Sequence, residues 1–291
     1  MNLTLTDTQR ALSIKAKEFC RQVLQPIEIY VDERGGLPKE DRSRLRQQVR
    51  DWGFQAINHS TEYGGGGYNI FDQTLINEQL GRATNGLWTC AWQPAICLKD
   101  GSPEQIDRYL KPACYGERRG CYAITEPGAG SDPRQVKTKA MPSGNGYKIS
   151  GEKWFVTSYN ASDFVIVHAH VNDDPDKPTL FVIDLDSPGI EHVRSPHFMH
   201  NFTFDHAEVK FHEVAVNQDD ILGEIGQGFE LTKDWFVEAR LAIAARSIGM
   251  AVRATDLALV WAREREQFGH AILQIIARQA GGVQVLCDHA G

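Results

Sequence analysis

The glycine-rich stretch at residues 122–132 offers the clearest chemistry in this chain. It reads Tyr-Ala-Ile-Thr-Glu-Pro-Gly-Ala-Gly-Ser-Asp, an apolar strand end followed by a turn. Its glycines let backbone N–H groups approach a flat or phosphorylated ligand, and Thr125 and Ser131 add hydroxyls. It is not the dinucleotide fingerprint, which needs a third glycine near Pro133 and a helix beginning there. Taken alone, the stretch fits a plain turn better than a binding loop.

The histidines are a second group of residues that could carry chemistry. His168 and His170 lie two apart on a predicted strand, and five more follow: His192, His197, His200, His206 and His212. Two histidines with a distant third can bind zinc. No HExxH motif or cysteine pair accompanies them, and surface imidazoles are common. A metalloprotein is therefore a distant alternative, and we expect no metal.

Composition narrows the class of protein. The chain has 291 residues, 42% of them apolar, and a net charge of −7, which argues against a nucleic-acid surface. It carries no signal-peptide pattern and no apolar run of the length that spans a membrane. The cysteines lack CxxC spacing, which favours reduced, mostly buried thiols and a cytoplasmic location: Cys20, Cys90, Cys97, Cys114, Cys121 and Cys287.

Residues 1–118 have the pattern of a helical domain. Thr6 and Gln9 form a capping box ahead of an apolar stripe with helical spacing. Further helices are predicted over residues 40–52 and 70–80, and others should fill residues 87–116. Four glycines at residues 64–67 lack a following Gly-Lys-Ser/Thr, which favours a flexible turn over a phosphate cradle.

Residues 119–224 change to the spacing of strands. Residues 136–140 and 147–149 flank a Pro-Ser-Gly-Asn-Gly turn and predict a hairpin. Strands are also predicted over residues 164–170, 179–184 and 208–211. No helical pattern intervenes between them, so the sheet should be an antiparallel barrel or sandwich.

Residues 225–291 return to helical spacing. An apolar stripe runs from Gln227 through Glu266 without a proline, and the pattern changes after Gly269. A helix of this length cannot bury its stripe alone, which points to a bundle or a subunit contact. The predicted fold is therefore α+β: an N-terminal helical domain, a middle antiparallel β-barrel or sandwich, and an incomplete C-terminal helical bundle.

This order of regions resembles the acyl-CoA dehydrogenase family. Besides residues 122–132, the resemblance rests on Gly-Glu-Lys-Trp-Phe-Val-Thr-Ser at residues 151–158 and Ile-Leu-Gly-Glu-Ile-Gly-Gln-Gly-Phe at residues 221–229. It continues from Arg240 to Gly249 and through Arg-Glu-Arg-Glu-Gln-Phe-Gly at residues 263–269. Relatives carry a further helical segment, so this chain resembles a member truncated in its C-terminal domain, with a truncated or shifted ending from about residue 270.

The resemblance implies FAD as the cofactor and assigns residues to it. Thr125 would hydrogen-bond the flavin, and Thr157 would lie near its N5. Ser131 would lie where FAD meets the substrate, and Arg240 is assigned to substrate binding. The cofactor-binding set is Tyr122, Ile124, Thr125, Gly130, Ser131, Phe155, Val156, Thr157, Arg265, Gln267 and Phe268.

The last three of these residues would reach the FAD of a neighbouring subunit, which implies a homodimer or homotetramer. If the family resemblance is set aside, the aromatic and arginine side chains in these motifs have ordinary structural roles. Trp154 and Phe155 would belong to the sheet core, and Arg265 would be a solvated helix end.

The reaction implied by the resemblance is α,β-dehydrogenation of an acyl-CoA, with electrons passed to an electron-transfer flavoprotein. A carboxylate removes the α proton. In relatives whose base lies on this helix, it precedes the residue matched by Arg240, where this chain has Ala239. Glu238 is a weak candidate, because one helical step turns it by roughly 100° and should leave it a solvated charge facing elsewhere. A catalytically impaired or non-catalytic flavin-binding remnant is therefore the alternative.

Overall fold

A helical N-terminal region comes first in the computed structural model, which describes residues 4–200 and 204–279. The predicted capping box is present: the Gln9 N–H donates to Thr6 Oγ1 at 3.2 Å, and the Thr6 N–H donates to Gln9 Oε1 at 3.1 Å. The helices of this region are α1 (Asp7–Phe19), α2 (Glu28–Glu33), α3 (Lys39–Asp51), α4 (Ile70–Leu80), α5 (Pro103–Gln105) and α6 (Lys111–Cys114).

Residues 87–116 do not form the regular helices that we predicted. They contain 3₁₀ turns at Leu87–Cys90 and Ile96–Asp100, and a wide π turn at Ile106–Leu110 joins α5 to α6. Proline explains part of this, because Pro112 has no N–H to donate to the carbonyl of Arg108. That carbonyl instead accepts a hydrogen bond from the Arg118 side chain at 3.2 Å.

The four glycines at residues 64–67 form a turn, as predicted, but the turn is tightly packed rather than flexible. Each of their N–H groups donates to a backbone carbonyl between residues 56 and 61. A Cβ atom on Gly65 would lie 2.3 Å from the carbonyl oxygen of His59. These N–H groups are therefore already satisfied and form no phosphate cradle.

Within the described residues, the middle region is one sheet of eight strands. The strands are β1 (Gly120–Ala123), β2 (Lys139–Ser143), β3 (Gly146–Thr157), β4 (Phe164–Val171), β5 (Pro178–Asp184), β6 (Ile190–Arg194), β7 (His206–Asn217) and β8 (Ile221–Leu222). Their order in the sheet is β6-β7-β3-β2-β4-β5-β8, and β1 pairs with β4 beside this path. The predicted hairpin is present as β2 and β3. Every residue of β4 is buried, which places this strand at the centre.

The sheet is sandwich-like and not a closed barrel, and our expectation of a wholly antiparallel sheet was wrong. Both β1 and β2 pair with β4 in parallel. We predicted antiparallel pairing because parallel strands are usually connected by a helix, and the sequence has no helical pattern between these strands. Here the chain makes the crossover from β1 to β4 with the glycine-rich loop and the β2–β3 hairpin, which contain no long helix.

The C-terminal region is dominated by helix α7 (Gly228–Glu264), followed by the short strands β9 (Glu266–Gln267) and β10 (His270–Ala271) and helix α8 (Ile272–Gln279). Two glycines let α7 cross α4 closely. A Cβ atom on Gly249 would lie 1.9 Å from the carbonyl oxygen of Glu78, and one on Gly81 would lie 2.3 Å from that of Arg246. This contact fixes α7 against the N-terminal region.

The predicted buried thiols are present: Cys20, Cys97, Cys114 and Cys121 are buried, Cys90 is half-buried, and all five are free. Cys287 lies outside the described residues. Within the same described part of the chain, no helix combines the length and apolar character needed to cross a bilayer.

The close helix crossing leads to a testable prediction for Gly249→Ala. An alanine in place of glycine within a helix is normally favourable by roughly 0.5–1 kcal/mol. Here the added methyl group must push α4 and α7 apart, so we expect the free energy of unfolding to fall by about 1–3 kcal/mol. Urea unfolding measures the change. Ser247→Ala, at an exposed position on the same helix, is the control, and a stabilised Gly249→Ala protein would disprove the packing argument.

Candidate active site

A cavity of about 470 Å³ lies between the glycine-rich loop, the end of β3 and helix α7. It brings together six of the residues that the sequence assigns to the cofactor: Tyr122, Ile124, Thr125, Gly130, Phe155 and Thr157. These residues come from two segments separated by the β2 hairpin strand. The fold therefore assembles one site from two of the motifs.

The remaining predicted site residues do not line this cavity. Val156 is fully buried in the core of the sheet, because side chains alternate along β3. Ser131 is exposed on the loop, and Arg240 is exposed beside the ring of Phe236. The three predicted site residues beyond α7 are exposed as well: Arg265, Gln267 and Phe268.

A buried ion pair holds the loop against β3. Lys153 has no exposed surface, and its Nζ lies 2.8 Å from Glu126 Oε1 and donates to the carbonyl of Ile124 at 3.0 Å. Glu126 also accepts hydrogen bonds from the N–H groups of Lys137 and Thr138, at 2.6 and 2.9 Å. Burial lowers the pKa of Lys153 to about 8. Burial opposes ionisation of Glu126 as well, but the charge and hydrogen bonds of Lys153 leave its pKa below the ordinary value.

A β-bulge next to this ion pair turns an aromatic ring toward the cavity. The register between β3 and β7 shifts between Lys153 and Val156, and Phe155 has φ of +56°. A positive φ is strained for a bulky residue and is common at functional sites. Phe155 is 48% exposed. The alternative interpretation, in which Phe155 belongs to the core of the sheet, is therefore wrong. The Trp154 N–H donates to the Thr125 carbonyl at 2.8 Å and ties the bulge to the loop.

Tyr122 connects the loop to α7. Its ring stacks on Trp235 with a centroid separation of 4.7 Å, and its hydroxyl lies 3.0 Å from Thr232 Oγ1. Burial raises the pKa of the phenol well above its ordinary value, so Tyr122 stays neutral. We did not assign Trp235 to the site, although its position three residues before Glu238 was an available signal.

Glu238 lines the cavity, which corrects our expectation that it is a solvated charge facing elsewhere. The cavity borders a wide arc of α7, and both Glu238 and Ala239 fall within it. A one-residue rotation of about 100° therefore does not take Glu238 out of the site. Its Oε1 is buried without a hydrogen-bond partner among the described residues.

The surroundings of Glu238 keep its carboxyl protonated more readily than usual. Burial raises its pKa to about 7, and the Asn58 side chain and the Arg246 charge only partly oppose this effect. Arg246 also lines the cavity and donates through Nε to Asn77 Oδ1 at 2.8 Å. A carboxyl that titrates near neutrality in a cavity can accept and return a proton at physiological pH.

Thr157 has a partner that the sequence did not reveal. Its hydroxyl lies 2.8 Å from Nδ1 of His206, at the start of the neighbouring strand β7. Burial and the adjacent His200 lower the pKa of His206. The neutral imidazole of His206 therefore contacts the Thr157 hydroxyl, which the family resemblance assigns to the cofactor.

Of the histidines considered as metal ligands, the pair on β4 is buried, whereas His192, His197 and His212 are exposed. His168 and His170, on β4, are 1% and 4% exposed. Burial lowers the pKa of His168 to about 3, so it is a neutral core residue. The described residues contain no group of three or more His, Cys, Asp or Glu side chains that could hold a metal ion.

Comparison with known sequences shows that the chain belongs to the acyl-CoA dehydrogenase family. The family's N-terminal domain matches residues 6–117, its middle domain residues 121–214 and its C-terminal domain residues 226–288. The C-terminal match is short, but it continues past residue 270, where the sequence pattern had changed.

Similar proteins include dehydrogenases and reductases. The 3-(aryl)acrylate reductase of Clostridium sporogenes is 31% identical over 94% of this chain and 74% of its own length. A probable medium-chain specific acyl-CoA dehydrogenase of Caenorhabditis briggsae is 30% identical over 94% of this chain and 68% of its own.

Solved structures of similar proteins have the same fold as this chain. Butyryl-CoA dehydrogenase from Megasphaera elsdenii superposes with a TM-score of 0.84 at 26% identity, covering 96% of this chain and 75% of that one. The FAD complex of PigA gives a TM-score of 0.84 at 25% identity, covering 94% of this chain and 73% of that one. The family and its solved members are FAD-binding flavoproteins, which confirms the predicted cofactor at the level of the family.

The buried ion pair can be tested with Lys153→Met. The substitution leaves the carboxylate of Glu126 buried without its cation, so we expect the free energy of unfolding to fall by about 3–5 kcal/mol. Lys148→Met, on the same strand, removes an exposed partner of Glu213 and should change stability by about 0.5 kcal/mol or less. Urea unfolding compares the two, and equal losses would refute a special role for the buried pair.

Proposed function

We propose that this chain is a FAD-dependent acyl-CoA oxidoreductase in which Glu238 is the catalytic base. The observation that carries this proposal is the position of Glu238. Its carboxyl has a pKa of about 7, and it lines the same cavity as six residues assigned to the cofactor. Family membership supports the reaction class, α,β-dehydrogenation of an acyl-CoA thioester.

The cavity fits the flavin of FAD. Flat apolar surfaces are supplied by Phe155 and Tyr122, and hydroxyls by Thr125 and Thr157. A Cβ atom on Gly130 would meet nothing within 4 Å, so the loop leaves open space beside its backbone. This combination suits a flat ring system with polar edges. Ser131 would contribute on the loop where cofactor and substrate meet, and Arg240 on the substrate side.

Glu238 provides the proton chemistry. Its unpartnered Oε1 takes the proton from the carbon α to the thioester, and the C–H electron pair moves to form the α,β double bond. Bound FAD supplies the acceptor for the hydride that leaves the β carbon. Because the same base returns the proton in the reverse direction, these residues also suit reduction of an unsaturated thioester, the direction named for some relatives.

An electron-transfer flavoprotein is the proposed redox partner. One relative, from Acetobacterium woodii, is named as a subunit of a caffeyl-CoA reductase–Etf complex and is 30% identical over 88% of this chain and 67% of its own length. We also propose a homodimer or homotetramer in the cytoplasm. Large apolar side chains near the end of α7 support self-association, since Trp261 is 63% exposed and Phe268 is 95% exposed. Arg265 and Gln267 would join Phe268 at a neighbouring subunit's FAD.

Glu238→Gln tests the assignment of the base. Loss of a general base should slow flavin reduction by an acyl-CoA by about 10²–10⁴-fold. Anaerobic stopped-flow absorbance, with a panel of straight, branched and aromatic acyl-CoAs, measures the rate. In the unsubstituted protein kcat/KM should rise as pH increases through about 7, because only the ionised carboxylate accepts the proton.

Glu230→Gln is the matched control, because Glu230 is exposed on the same helix and pairs with Lys233. It should reduce flavin at the unsubstituted rate. If Glu238→Gln also does so, the base is a different group. If the unsubstituted holoprotein is yellow but no thioester bleaches it, the chain is a non-catalytic flavoprotein, the alternative favoured by Ala239 at the family's base position.

The same carboxyl should reduce stability at high pH. The folded pKa of about 7 exceeds the ordinary value of 4.5, so the folded protein holds this proton more tightly and loses stability as pH rises between those values. Above pH 7, Glu238→Gln should therefore be more stable by roughly 2–3 kcal/mol. Urea unfolding at pH 5 and pH 8 measures the difference, which should shrink at pH 5. A variant no more stable at pH 8 would contradict the burial of this charge.

A further inference from the structure

We infer that a second cavity, between α3 and the segments around Arg119 and Asp163, is a binding site for a phosphate group. This cationic cavity has a volume of about 340 Å³, within the size range of small-ligand sites. Its positively charged side chains are Lys39, Arg42, Arg46, Arg118 and Arg119. None of these residues belongs to the site proposed above.

Positive charge in this cavity is not balanced by the protein. Asp163 is the only carboxylate that lines the cavity among the described residues, and it accepts the backbone N–H of Arg119 at 2.7 Å. Arg118 pairs outside the lining, with Asp184. In the described part of the chain, Arg42, Arg46 and Arg119 make no ion pair with a carboxylate. Such a concentration of charge is unexpected in a chain with a net charge of −7.

Arg119 is fixed by two aromatic rings and one hydrogen bond, and one of its N–H donors has no acceptor in the described part of the chain. Its guanidinium lies between the rings of Trp92 and Phe204, 3.7 and 3.8 Å from their centroids. One terminal nitrogen donates to the carbonyl of Thr89 at 3.3 Å, but the buried Nε has no partner among the described residues. The buried indole Nε1 of Trp92 likewise lacks one. Buried donors without acceptors are costly, so the guanidinium of Arg119 lacks part of the hydrogen bonding that would offset its burial.

The charges also destabilise one another. Burial, together with the smaller effect of the Arg46 and Arg42 charges, lowers the pKa of Arg119 to about 9. An anion within the cavity would reverse both effects, because it would replace lost solvation and screen the repulsion. The arrangement therefore favours a ligand with more than one negative charge.

Helix α3 presents two of these arginines one turn apart. Arg42 donates through Nε to the carbonyl of Leu37 at 3.4 Å, and Arg46 donates through a terminal nitrogen to that of Gly116. These backbone contacts hold the guanidinium groups while leaving further N–H groups unused.

A phosphate group matches this site better than a carboxylate. It carries a charge near −2 and three or more acceptor oxygens, whereas a carboxylate has one charge and two oxygens. Three guanidinium groups without a carboxylate partner among the described residues line the cavity, and guanidinium N–H groups are the donors that phosphate oxygens accept most readily. Inorganic phosphate and a phosphomonoester share this chemistry.

Isothermal titration with inorganic phosphate, at constant ionic strength with chloride as the balancing anion, tests the proposal. We expect saturable binding that Arg42→Gln and Arg46→Gln each weaken by about tenfold, the effect of losing one charge-assisted hydrogen bond. Arg44→Gln is the matched control. It lies on the same helix and removes the same charge, but Arg44 is exposed, pairs with Asp41 and lies outside the cavity. It should change the dissociation constant by less than about twofold.

Titration with AMP in the same buffer identifies the source of the phosphate. Tighter binding than inorganic phosphate, with the same loss in Arg42→Gln, would support a phosphomonoester. Weaker binding with that loss would support free phosphate. Absence of saturable binding of either ligand would overturn the proposal. So would equal weakening by Arg42→Gln and Arg44→Gln, which would indicate a diffuse field, or binding insensitive to Arg42 and Arg46, which would place the ligand elsewhere.

Discussion

The buried ion pair between Lys153 and Glu126 is the constraint on which the first cavity depends. Removing two charges from water is unfavourable, and such a pair does not by itself make a fold more stable. It does penalise alternatives, because a shift of β3 by one residue would turn Lys153 to the opposite face and leave Glu126 without its cation. The correct register also aligns Trp154 with the Thr125 carbonyl and sets the bulge that turns Phe155 toward the cavity. A charge pair that faces away from the cavity thus determines which side chains face into it.

Helix α7 closes the cavity from the other side, and its placement depends on the N-terminal region. The glycine contact with α4 brings the two helices close enough for Arg246 to bond Asn77. The stack of Tyr122 on Trp235 then fixes the distance from α7 to the loop. Together these contacts bury the carboxyl of Glu238 with too few polar partners to hold it ionised. A buried carboxyl whose pKa is raised in this way lowers the stability of the fold at neutral pH. The same raised pKa is what a base acting near pH 7 requires.

Much of this arrangement could be predicted from local sequence. The capping box predicted the start of α1, the helix predicted over residues 70–80 is α4, and the motifs named six residues that meet in one cavity. The rest depends on contacts between distant segments. Glu238 lines the cavity because the cavity borders a wide arc of α7. Residue spacing along a helix cannot predict how wide that arc is. The parallel pairing of β1 with β4 has no local signature, nor does the meeting of Trp92, Arg119 and Phe204 around one guanidinium.

We propose that the loop held by Lys153 forms the FAD site. The most direct measurement is the dissociation constant of FAD, from quenching of flavin fluorescence, for the unsubstituted protein and for Lys153→Met under conditions in which both are folded by circular dichroism. The account predicts that the unsubstituted protein takes up FAD and that the variant binds it at least about tenfold more weakly. A folded, unsubstituted protein that stays colourless in excess FAD, or a variant that binds FAD equally well, would contradict it.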